Sequence, residues 1–158
     1  MEKLSFLGIG PKIARVTLPY LSIAIALTIL FPSIFTFGKA LQEPLLIAGI
    51  VFLAVALVLY IATLRLMVPG LRSNHLVVSG TYRFCRNPLY AALLLFLIPG
   101  IGLLMNSWIV LTASIIGYLL FRRFIHEEEE QLERLFGDDY RKYKGMTSLF
   151  VPNLFKKT

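Results

Sequence analysis

The sequence predicts an all-α integral membrane protein of about four transmembrane helices, with a helical hairpin and a cytosolic C-terminal helical extension. Three observations predict it. Of 158 residues, 57% are hydrophobic and 16% charged, against roughly 45–50% apolar and about 25% charged in average soluble domains. The mean hydropathy is +0.74. The charges sit in islands near the N-terminus, between Arg65 and Arg86, and after Arg122. The apolar runs between them are too long for a soluble domain of this size to bury.

Each span follows from length. A membrane-spanning helix needs about 20 mostly apolar residues. The stretch 16–37 qualifies, with Pro19 near its start and Pro32 placed to kink its far end. It exceeds the roughly 7–15 residues of a signal-peptide core, and no small-residue cleavage site follows, so it reads as a retained anchor. The stretch 44–64 qualifies without interruption. The stretches 89–104 and 108–121 are shorter and separated only by Met105, Asn106 and Ser107, which predicts a tight hairpin with Trp108 anchored at an interface. After Phe121 the pattern becomes amphipathic. Leu132, Leu135 and Phe136 recur at helical spacing among charges, and Gly137 punctuates the run. Asp138–Lys144 reads as a second short helix, with Tyr140 and Tyr143 on one face. The apolar tail 148–155 is expected to lie back on the protein or the membrane. The whole chain, 1–158, reads as a single membrane domain.

Charge orients it. The 65–88 segment carries Arg65, Arg72, Arg83 and Arg86 without an acid, whereas the opposite loops carry only Lys39 and Glu43. Positive-inside logic puts both termini and the 65–88 loop in the cytosol. The compact chain suggests a prokaryotic cell membrane. The net charge of +7 is accounted for by cations flanking spans and facing anionic lipid, so membrane lipids rather than nucleic acid are the expected partners. The single cysteine, Cys85, excludes an intrachain disulfide and a cysteine-rich metal site, and reads as a small buried side chain. No metal is expected.

The polar residues able to do chemistry gather into a cofactor region formed by 72–90 and 122–152. The first part reads Leu76-Val77-Val78-Ser79-Gly80-Thr81-Tyr82-Arg83, then Arg86-Asn87-Pro88-Leu89-Tyr90. The second reads Glu128-Glu129, Leu132, then Phe136-Gly137-Asp138-Asp139-Tyr140 and Tyr143. Taken alone, the acidic run 127–130 is what a helix start favours. Tyr82 and Tyr90 are ordinary interfacial residues, and Arg83 and Arg86 are positive-inside markers. In this order, flanking a hairpin, these pieces resemble the isoprenylcysteine carboxyl methyltransferase and phospholipid methyltransferase superfamily over roughly residues 74–152. That resemblance implies a membrane-embedded methyltransferase using S-adenosyl-L-methionine without a Rossmann domain. No Gly-x-Gly-x-x-Gly fingerprint occurs in the chain. Carried over position by position, it implies a cofactor site of Asn74, Leu76, Val77, Tyr82, Asn87, Pro88, Tyr90, Glu128 and Glu129.

The residues suit that cofactor chemically. A carboxylate at Glu128 or Glu129 accepts charge-assisted hydrogen bonds from an ammonium group or ribose hydroxyls. Tyrosine rings attract a cation by about 0.5–2 kcal/mol. The acceptor is expected to be a lipid or a lipidated small molecule, either an isoprenylcysteine-like carboxylate or a phospholipid amine headgroup. The sequence departs from the superfamily twice. Arg86-Asn87-Pro88 stands where Arg-His-Pro is usual. Phe124 stands one turn before Glu128, where the prenylcysteine enzymes place an acceptor-binding arginine. Arg122 and Arg123 are the nearest replacements, although long basic side chains here also suit snorkelling at the membrane edge. Arg123 and His126 are the candidate catalytic residues, His126 as a proton acceptor for an amine substrate. The competing readings are a membrane reductase using NADPH and a non-catalytic membrane scaffold or transporter subunit. The last is disfavoured by the scarcity of polar side chains within the spans.

Overall fold

The computed structural model describes residues 8–150. Helix α1 spans Gly10–Leu30 and α2 is a single turn, Pro32–Phe35. Helix α3 runs Gln42–Ser73, α4 covers Pro88–Ala91, α5 covers Ile98–Leu104, and α6 runs Trp108–Met146. Among the described residues there is no strand, only isolated bridges between Thr36 and Ser107 and between Cys85 and Ser148. Helices α1, α3 and α6 are each long and apolar enough to cross a membrane, and the shorter apolar run Pro88–Leu104 joins them. The molecule is an all-α integral membrane protein.

The helix ends depart from the predicted spans for local reasons. Pro32 carries no N–H, so α1 ends at Leu30 and restarts as α2 rather than bending through residue 37. Helix α3 continues past residue 64 to Ser73. Its 32 residues extend about 48 Å, well beyond a hydrocarbon core of roughly 30 Å. Asn74 then terminates it in the left-handed conformation (φ 52°, ψ 42°). Between α4 and α5, residues 92–97 form a π-helical turn. In that pattern residue 99 would donate to Leu94, but Pro99 has no N–H, and the Ser114 hydroxyl donates to the Leu94 carbonyl instead. Helix α6 carries its apolar first half straight into the charged extension and bends only at Gly137 (φ 52°, ψ −124°), a conformation that suits glycine.

The predicted hairpin turn is present at Met105–Ser107. Asn106 is left-handed (φ 53°), Ser107 Oγ accepts from the Val110 amide at 3.3 Å as an N-cap, and Asn106 Nδ2 donates to Gly38 O at 2.9 Å. Trp108 Nε1 donates to Ile34 O at 3.0 Å, tying the turn to α2. Small residues set the helix spacing. A Cβ on Gly49 would stand 2.8 Å from the Leu104 amide, and one on Gly100 would stand 2.8 Å from Leu53 Cδ2. Outward faces leave Ile23, Ile29, Ile47, Leu57, Val58, Ile115 and Leu119 exposed, as lipid-facing surfaces require. The core centres on Phe121, Ile125, Leu94 and Ala113, and reaches Phe150, whose ring lies 4.8 Å from that of Phe121.

Candidate functional site

At the end where α3 outruns the bundle, a cavity of about 430 Å³ opens, within the range of small-molecule sites. Helix α6 supplies one wall through Ile125, Glu128, Glu129, Leu132 and Phe136, a stripe at helical spacing. The Gly137 bend then brings Tyr140 and Tyr143 over the same space. Opposite lie Leu64, Met67, Val68 and Leu71 of α3, followed by His75, Leu76 and Val77. Tyr82, Arg86, Asn87, Pro88 and Tyr90 close a third side. Pro88 sits at the first position of α4, where its fixed φ favours helix entry and its missing N–H costs nothing.

The two glutamates differ sharply. Glu129 is buried and saturated. Its Oε1 accepts from Arg86 Nη2 at 2.7 Å and Nε at 3.0 Å, and its Oε2 meets Lys144 Nζ at 3.0 Å. Arg86 Nη1 also donates to Lys144 O at 3.0 Å and Thr147 O at 2.5 Å. Burial pushes the Glu129 carboxyl up, but the hydrogen bonds and charges of Arg86 and Lys144 outweigh it and hold it below the usual range. Among the described residues, Glu128 meets neutral donors: Tyr90 Oη and the Ile9 amide, each 3.2 Å from Oε2. Burial pushes its carboxyl up, and those two hydrogen bonds only partly oppose the shift. Beside it, burial raises the Tyr82 hydroxyl far above its ordinary value.

The segment after α6 straps the site together. The Arg86 amide donates to Ser148 O at 2.9 Å, and Asn87 Nδ2 donates to Leu149 O at 3.0 Å. Tyr143 Oη donates to Tyr82 O at 2.7 Å. The described end of the predicted tail thus lies back on the protein; 151–155 fall outside the described residues.

Of the sequence-predicted site residues, Leu76, Val77, Tyr82, Asn87, Pro88, Tyr90, Glu128 and Glu129 all border this one cavity. Asn74 does not; it is the exposed cap of α3. Arg123 and His126 do not either. Both are exposed on α6, because offsets of five and two residues from Glu128 turn them well away from the face that Glu128 occupies. Sequence reasoning missed Gly8, Gly10, Tyr60 and the apolar α3 residues, which also border the cavity. Arg86, which the sequence leaves open between a topology marker and a residue that shapes the site, is the centre of a buried ion network. His75, expected to be a solvated loop residue, is exposed but stands at the rim. Among the described residues, no group of three or more His, Cys, Asp or Glu is placed to hold a metal ion.

The stretch from α3 to the glutamates of α6 is also what known proteins share. The isoprenylcysteine carboxyl methyltransferase family matches residues 43–134, more than half of the chain. The chain belongs to that family. The matched residues hold both halves of the cavity, Tyr90 and Glu128 included. The cobalt-zinc-cadmium resistance protein CzcN of Cupriavidus metallidurans is 32% identical to this methyltransferase-family chain over 90 residues, covering 56% of the chain and 41% of CzcN. The match therefore spans under half of that relative's length. No solved structure matches the chain.

Proposed function

We propose that the protein transfers a methyl group from S-adenosyl-L-methionine to a lipophilic acceptor that reaches the cavity from the membrane. The observation that supports this best is the Tyr90–Glu128 contact of 3.2 Å. It joins the residues on either side of the hairpin into the border of a single small-molecule cavity.

The cavity's chemistry fits the cofactor. Glu128 presents a carboxylate that forms no ion pair among the described residues, to receive the amino group or ribose hydroxyls. Tyr82 and Tyr90 stand beside it to face the cationic end, and the backbone around Leu76–Val77 borders the same space for the adenine edge. When bound, that cofactor supplies an electrophilic methyl group with its own leaving group. The chain's part is then to orient and to exclude water. Leu64, Met67, Val68 and Leu93 make the bilayer-side walls apolar. Arg86 and Glu129 hold the C-terminal half of α6 over the opening.

The acceptor follows from the cations. Phe124 occupies the acceptor-arginine position, and Arg122 and Arg123 point outside the cavity. Arg86 does border it, but its guanidinium is committed to Glu129 and two carbonyls. This favours an amine headgroup or a neutral acceptor over a prenylcysteine carboxylate. The arginine bias of the 65–88 segment supports a cytosolic site with both termini on that side.

The test is ligand stabilisation of the detergent-solubilised protein by S-adenosylhomocysteine and by NADPH. A specific ligand at 100 times its Kd stabilises by about 2.7 kcal/mol. Stabilisation by S-adenosylhomocysteine that disappears in Glu128→Gln supports the proposal. Stabilisation by NADPH alone supports a reductase, and by neither a scaffold. Labelled methyl transfer to vesicles of phosphatidylethanolamine, set against a prenylcysteine, then identifies the acceptor class.

A further inference from the structure

The matched family segment begins at residue 43, yet half of the hydrogen bonding to Glu128 comes from outside it. The Ile9 amide donates to Glu128 Oε2. Gly8, just before it, has φ +46°, and a Cβ there would stand 2.5 Å from Glu128 Oε2 and 3.0 Å from Cδ. The first distance is closer than real Cβ contacts show, the second is tighter than most, and the conformation is one that a side chain rarely adopts. This turn is anchored rather than loosely apposed. Ile9 and Ile13 are buried. One turn on, Lys12 pairs with Glu127 and lies over the Phe124 ring, 5.4 Å from its centroid. A second recess of about 290 Å³ on the outer side is bordered by Gly8, Ile9, Lys12, Glu127 and Glu128. Gly8 and Glu128 thus border both this recess and the larger cavity.

We propose that the Gly8–Ile9 turn is a positioning element of the cofactor site. Its backbone N–H, together with the Tyr90 hydroxyl, aims the Glu128 carboxylate into the cavity, and its missing side chain leaves the room that this carboxylate occupies. The proposal rests on the reading of Glu128 as a cofactor group. The same two donors stabilise the ionised form of Glu128 against burial, so they also set the pH at which a cationic ligand is held. The other titratable groups coupled to Glu128 are Tyr82 from the 80–83 turn, Tyr140 beyond the bend, and Glu129 on its own helix.

The experiment is a titration of the full chain in detergent with S-adenosylhomocysteine, across pH, for wild type, Gly8→Val, Tyr90→Phe and Glu128→Gln. Unliganded thermal unfolding serves as the measure of folding. Gly8→Val is expected to fold and to bind on the order of tenfold more weakly or worse, the loss of one charge-assisted hydrogen bond. In both Gly8→Val and Tyr90→Phe, the midpoint for loss of binding on acidification is expected to move to higher pH. A purely structural role for the turn would not move that midpoint. If Gly8→Val does not fold, the smaller Gly8→Ala decides, and an unmoved affinity and midpoint in it overturn the proposal. Wild-type binding that depends on Glu128 but is unchanged in a folded Gly8→Val, in affinity and pH midpoint, overturns this inference alone. No binding by wild type overturns the methyltransferase reading and this inference with it.

Discussion

Glu128 and Glu129 are neighbours in the chain and near-identical in local sequence, yet they stand in opposite surroundings. Around Glu129 the protein supplies Arg86 and Lys144 and closes the ring with the carbonyls of residues 144 and 147. Around Glu128 it supplies a tyrosine hydroxyl and one backbone amide. The first carboxylate is neutralised and spent on holding the end of α6 against the 80s segment. The second, when ionised, carries a charge that burial makes costly and that forms no ion pair among the described residues. A cationic ligand would relieve that cost. The contrast between the two acids lies in which partners are brought to them.

The largest effect that should break this contrast is Glu129→Ala. It leaves the buried Arg86 guanidinium without its counter-ion and is expected to cost about 3–5 kcal/mol in unfolding, read by denaturation in detergent. Glu128→Gln should do the reverse: unfolding stability is kept or slightly raised, while S-adenosylhomocysteine affinity falls by roughly tenfold to a hundredfold, one charge-assisted interaction. Titration sharpens the comparison further. The Glu129 carboxyl is lowered in the fold, so its contribution is complete above the unfolded value of 4.5 and disappears as the pH falls through its depressed value. The Glu128 carboxyl is raised, so it costs stability above its elevated value, and that cost is relieved as the pH falls through it. Ligand affinity, which needs the ionised form, should therefore decline on acidification at a pH above that at which the Glu129 network fails. Binding and unfolding curves measured on the same samples check this. The smallest effect expected is Tyr143→Phe. Losing its hydrogen bond to Tyr82 O should lower stability by about 0.5–1.5 kcal/mol and leave the Glu128 pH midpoint in place.

The four apolar segments, the turn at Asn106 and the break at Gly137 were legible because hydropathy, length and turn chemistry act locally. The convergence of Tyr90 and Glu128 was legible as well, since a hairpin of short spans returns the chain to the side from which it left. The stripe of Ile125, Glu128, Glu129 and Leu132 follows from helical spacing. Which members of the charged run face inward was harder to read. Helical spacing turns Arg123 and His126 away from Glu128, but only the docking of α6 decided that the face of Glu128 is the inward one. Asn74 looked like a site polar group but is used as the cap of an α3 longer than its apolar run implied.

The sequence by itself determined that this chain crosses a membrane and gathers its polar chemistry at one end. Apolar length and charge placement dictate where segments partition, whatever their neighbours. Only the tertiary structure decided that Arg86 and Lys144 would quench Glu129 and leave Glu128 to the cavity, with Gly8 and Ile9 behind it. Hydrogen bonds between residues 43, 15 and 119 positions apart depend on how helices dock, and that docking is set by close-packed small residues and bends that no local pattern encodes.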